Sequence, residues 1–246
     1  MQTSQNTILI TGGGSGIGLE TAKQFSENGN KVIIAGRDES KLRKAIAQIP
    51  KADYIVADVT VEKDIKTLVH RITREFPDLN ILMNNAGHGS LHRLSDLKDA
   101  VAVARREMET NYFAPVNLTT KLLPLLLQSR EAAVINVSSI VGFVPSLSLP
   151  TYSASKAALH SYSQVLRLSF PNLRVFEVMP PLVDTEFVKD IPSDKKIPAS
   201  QVASDLLASM KANNYEVHVA STANLYQNFL GRPDQALLAL NGLQMN

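Results

Sequence analysis

The chain has 246 residues, of which 44% are hydrophobic and 20% charged, and its formal net charge is +2. This length suits one α/β domain with a large core, and a near-neutral charge without a dense Lys/Arg run argues against a nucleic-acid groove. The absence of cysteine excludes disulfides and thiolate metal sites. No apolar run is long enough to span a bilayer, and the first residues lack a secretion-signal pattern. We therefore expect a cytoplasmic protein that binds neither nucleic acid nor membrane.

Short apolar strands alternate along the chain with longer segments of helical periodicity. The predicted strands are 7–11, 31–36, 54–57, 81–84, 133–137, 174–179 and 216–220. The predicted helices are 16–28, 40–48, 61–76, 101–128, 152–169 and 200–212. Strands that are apolar on both faces are typical of a parallel sheet covered by helices on both sides. We therefore predict a doubly wound, Rossmann-like α/β fold of about seven strands, in a single domain over residues 1–246.

Two segments depart from this alternation. Residues 186–199 carry three lysines, Pro192 and Pro198, and show little periodicity. Long loops without periodicity often cover binding sites, so we predict a substrate lid there. The tail, residues 223–246, is partly helical by its pattern, but the sequence does not indicate where it packs.

A glycine-rich loop joins the first strand to the first helix. Residues 11–18 read TGGGSGIG, with a G-x-x-x-G-x-G spacing instead of G-x-G-x-x-G, because Leu19 stands where a glycine would fall. Glycines permit a tight turn and let backbone N–H groups approach a pyrophosphate, while the helix N-terminus adds positive potential. The predicted contacts of such a dinucleotide are Gly12, Ser15, Gly16, Ile17 and Gly18. A glycine-rich turn of no function is the alternative.

The second predicted strand ends at Gly36, and Arg37 and Asp38 follow it. An acidic residue at the strand end accepts the ribose 2′-hydroxyl of NAD and repels the 2′-phosphate of NADP. Arg37 lies about twenty residues beyond the glycine loop, where the adenosine ribose is expected. Its guanidinium can pair with a phosphate through two hydrogen bonds. We therefore predict NADP as the cofactor, with NAD as the alternative because Asp38 is next to Arg37.

A tyrosine and a lysine stand four residues apart in the segment 152–156, YSASK. On a helix, positions i and i+4 share a face, so the two side chains meet. A tyrosine has an ordinary pKa of about 10, and a lysine cation beside it favours the tyrosinate and lowers that pKa. We predict that Tyr152 is a general acid or base near neutral pH and that Lys156 lowers its pKa. An exposed helical pair without function is the alternative.

Several of these motifs, taken in order, resemble the short-chain dehydrogenase/reductase superfamily. They are the loop 11–18, the stretch 84–87 (NNAG), Asn111, Ser139, Tyr152 and Lys156. The resemblance covers residues 6–220 and implies an enzyme that transfers a hydride between a nicotinamide and a carbonyl or alcohol. The stretches 77–80 and 180–185 also resemble a bacterial branch of oxidoreductases that includes proteins of teichoic-acid D-alanylation operons.

The resemblance also implies further cofactor contacts. Asp58 would hydrogen-bond the adenine amino group, and Val59 would add a backbone contact. The turn that holds the ribose would be formed by Asn85, Ala86 and Gly87, although a purely structural role stays open for Asn84 and Asn85. Thr185 would contact the nicotinamide carboxamide.

One position departs from the superfamily pattern. Many members have Pro-Gly after the sixth strand, whereas this chain has Pro180 and Pro181. Because proline has no N–H and a fixed φ, the local contact to the nicotinamide must differ here.

The resemblance assigns two more catalytic roles. Ser139, which lies 13 residues before Tyr152, would donate a hydrogen bond to the substrate oxygen. Ser138 is the alternative, although a neighbouring strand position points to the other side. Asn111 would interrupt its helix and hold a water that links Lys156 to solvent. Lys156 would also hold the nicotinamide ribose.

The chain also allows other interpretations. His88 and His92 have a spacing that could bind zinc, but no third ligand is near in the sequence, so we expect no metal. A sensor that binds NADP without turnover, or a lyase or epimerase on the same scaffold, is the alternative to an oxidoreductase. We expect the substrate pocket to be framed by residues 88–94, 140–149 and 186–199. The resemblance implies a homodimer or homotetramer.

Overall fold

Strands and helices alternate along the chain in the computed structural model, which describes residues 1–96, 98–189, 191 and 193–243. The strands are β1 (Thr7–Thr11), β2 (Lys31–Gly36), β3 (Asp53–Val56), β4 (Ile81–Asn84), β5 (Ala133–Val137), β6 (Arg174–Met179), β7 (Val183–Asp184), β8 (Ile197–Pro198) and β9 (Glu216–His218). The helices are α1 (Gly16–Glu27), α2 (Glu39–Ile46), α3 (Glu62–Glu75), α4 (Ala100–Met108), α5 (Ala114–Leu126), α6 (Pro150–Ser169), α7 (Ala199–Ala212), α8 (Thr222–Gly231) and α9 (Pro233–Leu240).

Within the described ranges, seven strands form one parallel sheet in the order β3-β2-β1-β4-β5-β6-β9. The chain starts in the middle at β1, runs outward to β3, and then continues on the other side from β4 to β9. The predicted doubly wound, Rossmann-like fold is therefore confirmed. In such a sheet the carboxyl ends of the strands share one edge, and a crevice opens where the strand order reverses, here between β1 and β4.

The two faces of the sheet are covered by different helices. Ile8 and Ile10 of β1 belong to the core formed with α1, α2 and α7, whereas Leu9 belongs to the core formed with α3, α5 and α6. Neighbouring residues of a strand point to opposite faces, so both faces of β1 are buried. This burial is the reason that the strands read as continuous apolar runs rather than as alternating patterns.

The long helix predicted over residues 101–128 is interrupted in the structure. A π-helical turn, Glu109–Phe113, separates α4 from α5 and contains Asn111. Pro115 at the start of α5 has no N–H and therefore cannot donate the helical hydrogen bond to Asn111. The predicted interruption of the helix at Asn111 is thus confirmed, and such π turns are frequent at functional sites.

The tail, which the sequence could not place, returns to the sheet edge. Helices α8 and α9 pack against a small core that includes Phe143, Val144 and Tyr152. Asn241 accepts a hydrogen bond from Leu147 N at 2.7 Å and donates one to Pro145 O at 3.0 Å. The tail is therefore fastened to the segment that precedes α6. The last tail residues, 244–246, lie outside the described residues.

The predicted lid also has structure of its own. Strands β7 and β8 form a two-stranded parallel sheet, and a 3₁₀ turn, Glu186–Val188, lies between them. Asp190 and Pro192 of the predicted lid lie outside the described residues. No helix in the described ranges is both long and apolar enough to cross a membrane.

Candidate active site

A cleft of about 1230 Å³ runs along the carboxyl ends of the strands. Its walls combine the glycine loop, the ends of β2 to β6 and the start of α6. Sequence-predicted residues that line it are Gly12, Ser15, Gly16, Ile17, Arg37, Asp58, Val59, Asn85, Ala86, Gly87, Ser139, Tyr152, Lys156 and Thr185. We call the region of Arg37, Lys41 and Asp58 the open end, and the region of Ser139, Tyr152 and Lys156 the buried end.

The glycine loop has the backbone shape that its composition predicts. Gly12 and Gly16 have φ of +66° and +55°, in the left-handed region that favours glycine. Helix α1 begins at Gly16, and the side chain of Ser15, its N-cap residue, makes no capping hydrogen bond. The first backbone N–H groups of α1 therefore keep their hydrogen-bonding capacity at the wall of the cleft.

Gly18 has a different role from the other loop glycines. It is buried and does not line the cleft. A Cβ on Gly18 would lie 2.5 Å from both Asn85 Nδ2 and Gly12 O. Gly18 thus allows the loop, α1 and the turn after β4 to pack closely, as the third glycine of such loops does.

At the open end, the Asp38 side chain caps the helix that follows it. Its carboxylate accepts a hydrogen bond from Lys41 N at 3.0 Å and caps α2. Arg37 and Lys41 are both exposed and both line the cleft. Lys41 was not among the predicted site residues, although its place four residues after Arg37 and in the first turn of a predicted helix was a usable signal.

The turn after β4 is held mainly by its asparagines. Asn85 Nδ2 donates to Thr11 O at 2.9 Å and to Gly12 O at 3.2 Å. Asn84 Nδ2 donates to Asn136 Oδ1 at 2.8 Å across the sheet. These bonds connect β4 to the glycine loop and to β5. Both asparagines therefore have structural contacts, and Asn85 also lines the cleft.

Asp58 lies at the end of β3 and is only partly buried. Its Oδ1 accepts hydrogen bonds from Thr60 N at 2.9 Å and Thr60 Oγ1 at 2.7 Å. Its backbone N–H donates to Asp64 Oδ2 at 2.9 Å. These contacts fix the strand end and present Asp58 and Val59 to the cleft.

At the buried end, the side chains of β5 and α6 converge. Ser139 and Tyr152 are each 9% exposed, and the Ser139 hydroxyl is near enough to the phenol to lower its pKa. Lys156 is 3% exposed, and its Nζ lies 5.5 Å from the Tyr152 ring centre and donates to Val137 O at 2.8 Å. The predicted i and i+4 residues therefore share a helix face, and that face is turned inward rather than to solvent.

Burial shifts the pKa values of both partners toward their neutral forms. Burial raises the pKa of Tyr152 well above its ordinary value, Glu107 raises it further, and the hydrogen bond with Ser139 opposes the shift. Burial lowers the pKa of Lys156 to about 8, against the attraction of Glu177. The prediction that the pKa of Tyr152 is lowered is therefore wrong for this chain, because the cost of burying a phenolate is the largest influence on that pKa.

Asn111 lies behind the cleft wall rather than on it. Its Oδ1 accepts from His88 N at 2.8 Å, and its Nδ2 donates to His88 O at 2.7 Å and to Ser155 Oγ at 2.8 Å. Asn111 is fully buried and does not line the cleft. It joins the π turn to α6 and to the loop after β4.

Ser138 and Ser139 differ in direction. Ser138 Oγ donates to the buried Glu177 carboxylate at 2.5 Å. Ser139 Oγ accepts from Val141 N at 3.3 Å, and Ser139 lowers the pKa of Tyr152. Of the two serines, Ser139 is therefore the one whose side chain meets the tyrosine.

The segment 88–92 is packed against the tyrosine. A Cβ on Gly89 would lie 2.8 Å from the Tyr152 ring and 2.7 Å from the Phe187 ring. Ser90 N donates to the buried Glu107 carboxylate at 2.8 Å. His92 Nδ1 contacts Ser90 O at 2.9 Å, and its Nε2 is 3.4 Å from Thr151 Oγ1. The loop therefore forms one wall of the buried end.

The predicted frame of the pocket is only partly correct. Ile140, Val141 and Leu149 line the cleft, as do Phe187 and Val188 of the predicted lid. In contrast, Phe143 and Val144 pack in the core under the tail, and Leu147 is 58% exposed. Residues that line the cleft but were missed are Arg105, Arg106, Ser221 and Leu240. Arg105 and Arg106 lie on α4, Ser221 precedes α8 and Leu240 lies on α9, and local sequence patterns could not place these segments at the cleft.

The segment after β6 crosses the cleft from the sheet to the glycine loop. The Thr185 side chain lies against Gly16, where an added Cβ would be 3.1 Å from Thr185 Cγ2. Pro180 O accepts a hydrogen bond from Ile140 N at 3.1 Å. Pro181 lines the cleft without a backbone N–H, so Thr185 is the nearby residue that offers both a hydroxyl and a backbone N–H.

Comparison with known proteins identifies several relatives. A family model described as short chain dehydrogenase matches residues 6–196. The sequence is 42% identical over 190 residues to uncharacterized oxidoreductase DltE of Bacillus subtilis (strain 168), covering 75% of this chain and 74% of that protein. It is 31% identical over 203 residues to L-fucose dehydrogenase of Bos taurus, covering 82% and 74%. A short chain dehydrogenase from Burkholderia cenocepacia J2315, in complex with NADP, is 28% identical with a TM-score of 0.87, covering 98% and 99%.

Proposed function

The chain belongs to the short chain dehydrogenase family, and from this premise we propose that it reduces a carbonyl compound with NADPH, with Tyr152 as the proton donor. Membership of the family makes it an NAD(P)-dependent oxidoreductase and confirms the resemblance drawn from the motifs. The similarity to DltE confirms the closer likeness to that bacterial branch. The cofactor preference, the roles of individual residues and the substrate class are the proposal.

The cleft fits a dinucleotide on structural grounds. Gly12 and Gly16 adopt φ values that favour glycine, and the uncapped start of α1 offers backbone N–H groups to an anion. In this proposal the pyrophosphate is held by residues 12–17, the adenine side by Asp58 and Val59, and the nicotinamide side by Asn85, Ala86, Gly87, Lys156 and Thr185. Gly18 supports this cradle from behind. When bound, the nicotinamide supplies the hydride for the substrate carbon.

The preference for NADP rests on the charges at the open end. Arg37 and Lys41 line this end together, and the Asp38 carboxylate is already bonded to Lys41 N as a helix cap. Two cations favour a 2′-phosphate, and the Asp38 carboxylate is directed to the backbone of α2 as its cap. The NADP bound to the Burkholderia relative is in agreement with this preference.

The observation that carries the proposed mechanism is the convergence of Ser139, Tyr152 and Lys156 at the wall of the cleft. Because burial raises the pKa of Tyr152, its phenol stays protonated at neutral pH and can donate to an oxygen that becomes negative. Ser139 is placed to donate a second hydrogen bond to the same oxygen. This protonation state favours carbonyl reduction over alcohol oxidation.

The lysine and asparagine complete the proposed set. The Lys156 ammonium offsets the negative charge that Tyr152 acquires when it gives up its proton. Asn111 is bonded to His88 and to Ser155 in the first turns of α6, so it holds in place the helix that carries Tyr152. We assign Asn111 a supporting role in the step that returns a proton to Lys156.

The proposal can be tested with a panel of aldehydes, ketones and secondary alcohols, read by nicotinamide absorbance with NADPH and with NADH. We expect reduction of at least one carbonyl class, faster with NADPH, and loss of turnover in Tyr152→Phe. A preference for NADH would contradict the cofactor assignment. Full activity of Tyr152→Phe would contradict the mechanism.

Other expectations from the sequence stay predictions. These are the cytoplasmic location, the lid function of residues 186–199 and the assembly into a homodimer or homotetramer. Light scattering after gel filtration measures the assembly, and a monomeric mass would contradict it.

A further inference from the structure

A buried carboxylate lies behind the floor of the cleft, outside the residues assigned to the reaction. Glu177 of β6 has no exposed surface. Its carboxylate accepts a hydrogen bond from Ser138 Oγ at 2.5 Å and contacts His160 Nδ1 at 2.9 and 3.1 Å. A charge buried in a sheet destabilises the fold unless it is well paired, so the identity of its neighbours is informative.

Glu177 and Lys156 bond to consecutive residues, Ser138 and Val137, at the end of β5. Lys156 Nζ donates to Val137 O at 2.8 Å. Val137 lies between Asn136 and Ser138 in the chain. Asn136 is paired in register with Glu177, and Ser138 donates a hydrogen bond to the Glu177 carboxylate. Burial lowers the pKa of Lys156, and the charge of Glu177 is the influence that raises it.

His160 lies one turn beyond Lys156 on the same face of α6. The hydrogen bond with Glu177 raises the pKa of His160, burial opposes the shift, and the charges of Glu216 on β9 and Arg167 on α6 act on it in opposite directions. Glu216 and Arg167 are partly exposed and are 3.6 Å apart, so they screen each other. The charge next to Lys156 is therefore governed mainly by Glu177 and His160; His218 also lies on β9, near His160.

We propose that Glu177 is a positioning residue for the reaction, whose carboxylate, held by Ser138 and His160, is the counter-charge that keeps Lys156 in the ammonium form at the buried end. This inference rests on the proposed role of Lys156. At low pH the imidazolium of His160 neutralises Glu177. As pH rises and His160 loses its proton, the carboxylate acts on Lys156 without that compensation, so the ammonium is retained where burial alone would remove its proton.

The ionisation of Lys156 can be followed without turnover, by NMR of protein labelled with ¹³C at the lysine Cε. The Lys156 resonance is assigned by its loss in Lys156→Arg. We expect a midpoint near 8 in the unaltered protein, and a midpoint lower by about one unit or more in Glu177→Gln, since a nearby opposite charge accounts for about one to three units. Glu216→Gln is the matched control, because Glu216 pairs in register with Glu177 but is partly exposed.

A second variant separates charge from structure. His160→Gln keeps a hydrogen-bond donor for Glu177 but removes the imidazolium, so the Lys156 midpoint stays or rises. If Glu177 were only a structural anchor between α6 and β6, both variants would move the Lys156 midpoint in the same direction. If Glu177→Gln fails to fold, His160→Gln still decides the question, because a lowered midpoint in that variant would overturn the inference.

The outcomes also separate this inference from the proposed function. An unchanged midpoint in Glu177→Gln, or an equal shift in Glu216→Gln, overturns the role of Glu177 and leaves the assignment of Tyr152 intact. Absence of turnover across the carbonyl panel overturns the proposed reaction and leaves the NMR titration readable.

Discussion

The two ends of the cleft contrast in how they are built. The open end is formed by turns that directly follow β2 and β3, and Arg37 and Lys41 are exposed there. The buried end brings together β5, α6 and the loop after β4, and its residues Ser139, Tyr152 and Lys156 are at most 9% exposed. Charges at the open end are screened by water, whereas charges at the buried end alter the pKa values of their neighbours. Substitutions should therefore change cofactor choice at one end and proton transfer at the other.

The largest effect is expected at the buried end. Tyr152→Phe removes the proton donor and should lower kcat by about 10² to 10⁴, because a positioned general acid contributes on that order. Dinucleotide binding, measured by NADPH fluorescence, should change little. Tyr162→Phe is the matched control, since Tyr162 is on the same helix and contacts Tyr112 instead of the cleft. Equal losses in both variants would mean that α6, not the phenol, is responsible.

At the open end, Arg37→Asp should reverse or weaken the preference for NADPH. A charge-assisted pair with a phosphate contributes about 1.5–3 kcal/mol, so the ratio of kcat/KM for NADPH over NADH should fall at least about tenfold. Lys41→Ala should change the ratio in the same direction by less. Arg43→Asp serves as control, because Arg43 is exposed on α2 and pairs with Glu39. An unchanged ratio in Arg37→Asp would show that the 2′-phosphate is not recognised here.

A smaller effect is expected from Glu107, which is fully buried and raises the pKa of Tyr152. Its Oε2 has no hydrogen-bond partner among the described residues. In Glu107→Gln the amide oxygen can still accept from Ser90 N, but the charge is gone. We expect the pKa of Tyr152 to fall by up to about one unit. The alkaline ionisation of Tyr152, read by the ultraviolet absorbance of its phenolate, should then begin at lower pH, whereas Glu27→Gln on the exposed end of α1 should leave it in place.

The smallest effect concerns stability. The pKa of His160 is raised in the folded protein by its hydrogen bond with Glu177. Protonation therefore favours the fold, and this contribution is fully present below the ordinary histidine pKa of about 6.5 and is lost as pH rises through the raised folded value. In His160→Gln the Tm should depend less on pH across this window. His70→Gln, at an exposed position of α3, should leave the pH dependence of Tm unchanged.

Local patterns predicted most of the fold. Five strands, β1, β2, β4, β5 and β6, have the predicted bounds, because apolar runs between turn signals mark buried strands clearly. The small sheet of β7 and β8 was missed, since each strand has two residues and its pairing joins distant segments. The tail helices were recognised only as partly helical, because their packing against Phe143 and Val144 depends on contacts made after the sheet has formed.

The residues of the candidate site also fall into those that local patterns predicted and those that they did not. The glycine loop, Arg37 and the spacing of Tyr152 and Lys156 could be read from the chain, because each depends on neighbours within a few residues. Lys41 was overlooked although its place after Arg37 was a usable signal, whereas Glu107 could not be identified as part of the site and Glu177 was taken only as a strand residue. A carboxylate in a strand or helix has no local signature that tells whether it faces water or the core.

The sequence alone therefore established the order of elements, the phosphate-binding turn and the pairing of a phenol with an ammonium on one helix face. These features follow from backbone periodicity and short-range geometry. The direction in which the pKa of Tyr152 is shifted, and the link from Lys156 to Glu177 and His160, arise only when β5, β6, α4 and α6 meet. Ionisation depends on desolvation and on charges brought near from distant parts of the chain, and both exist only in the folded molecule.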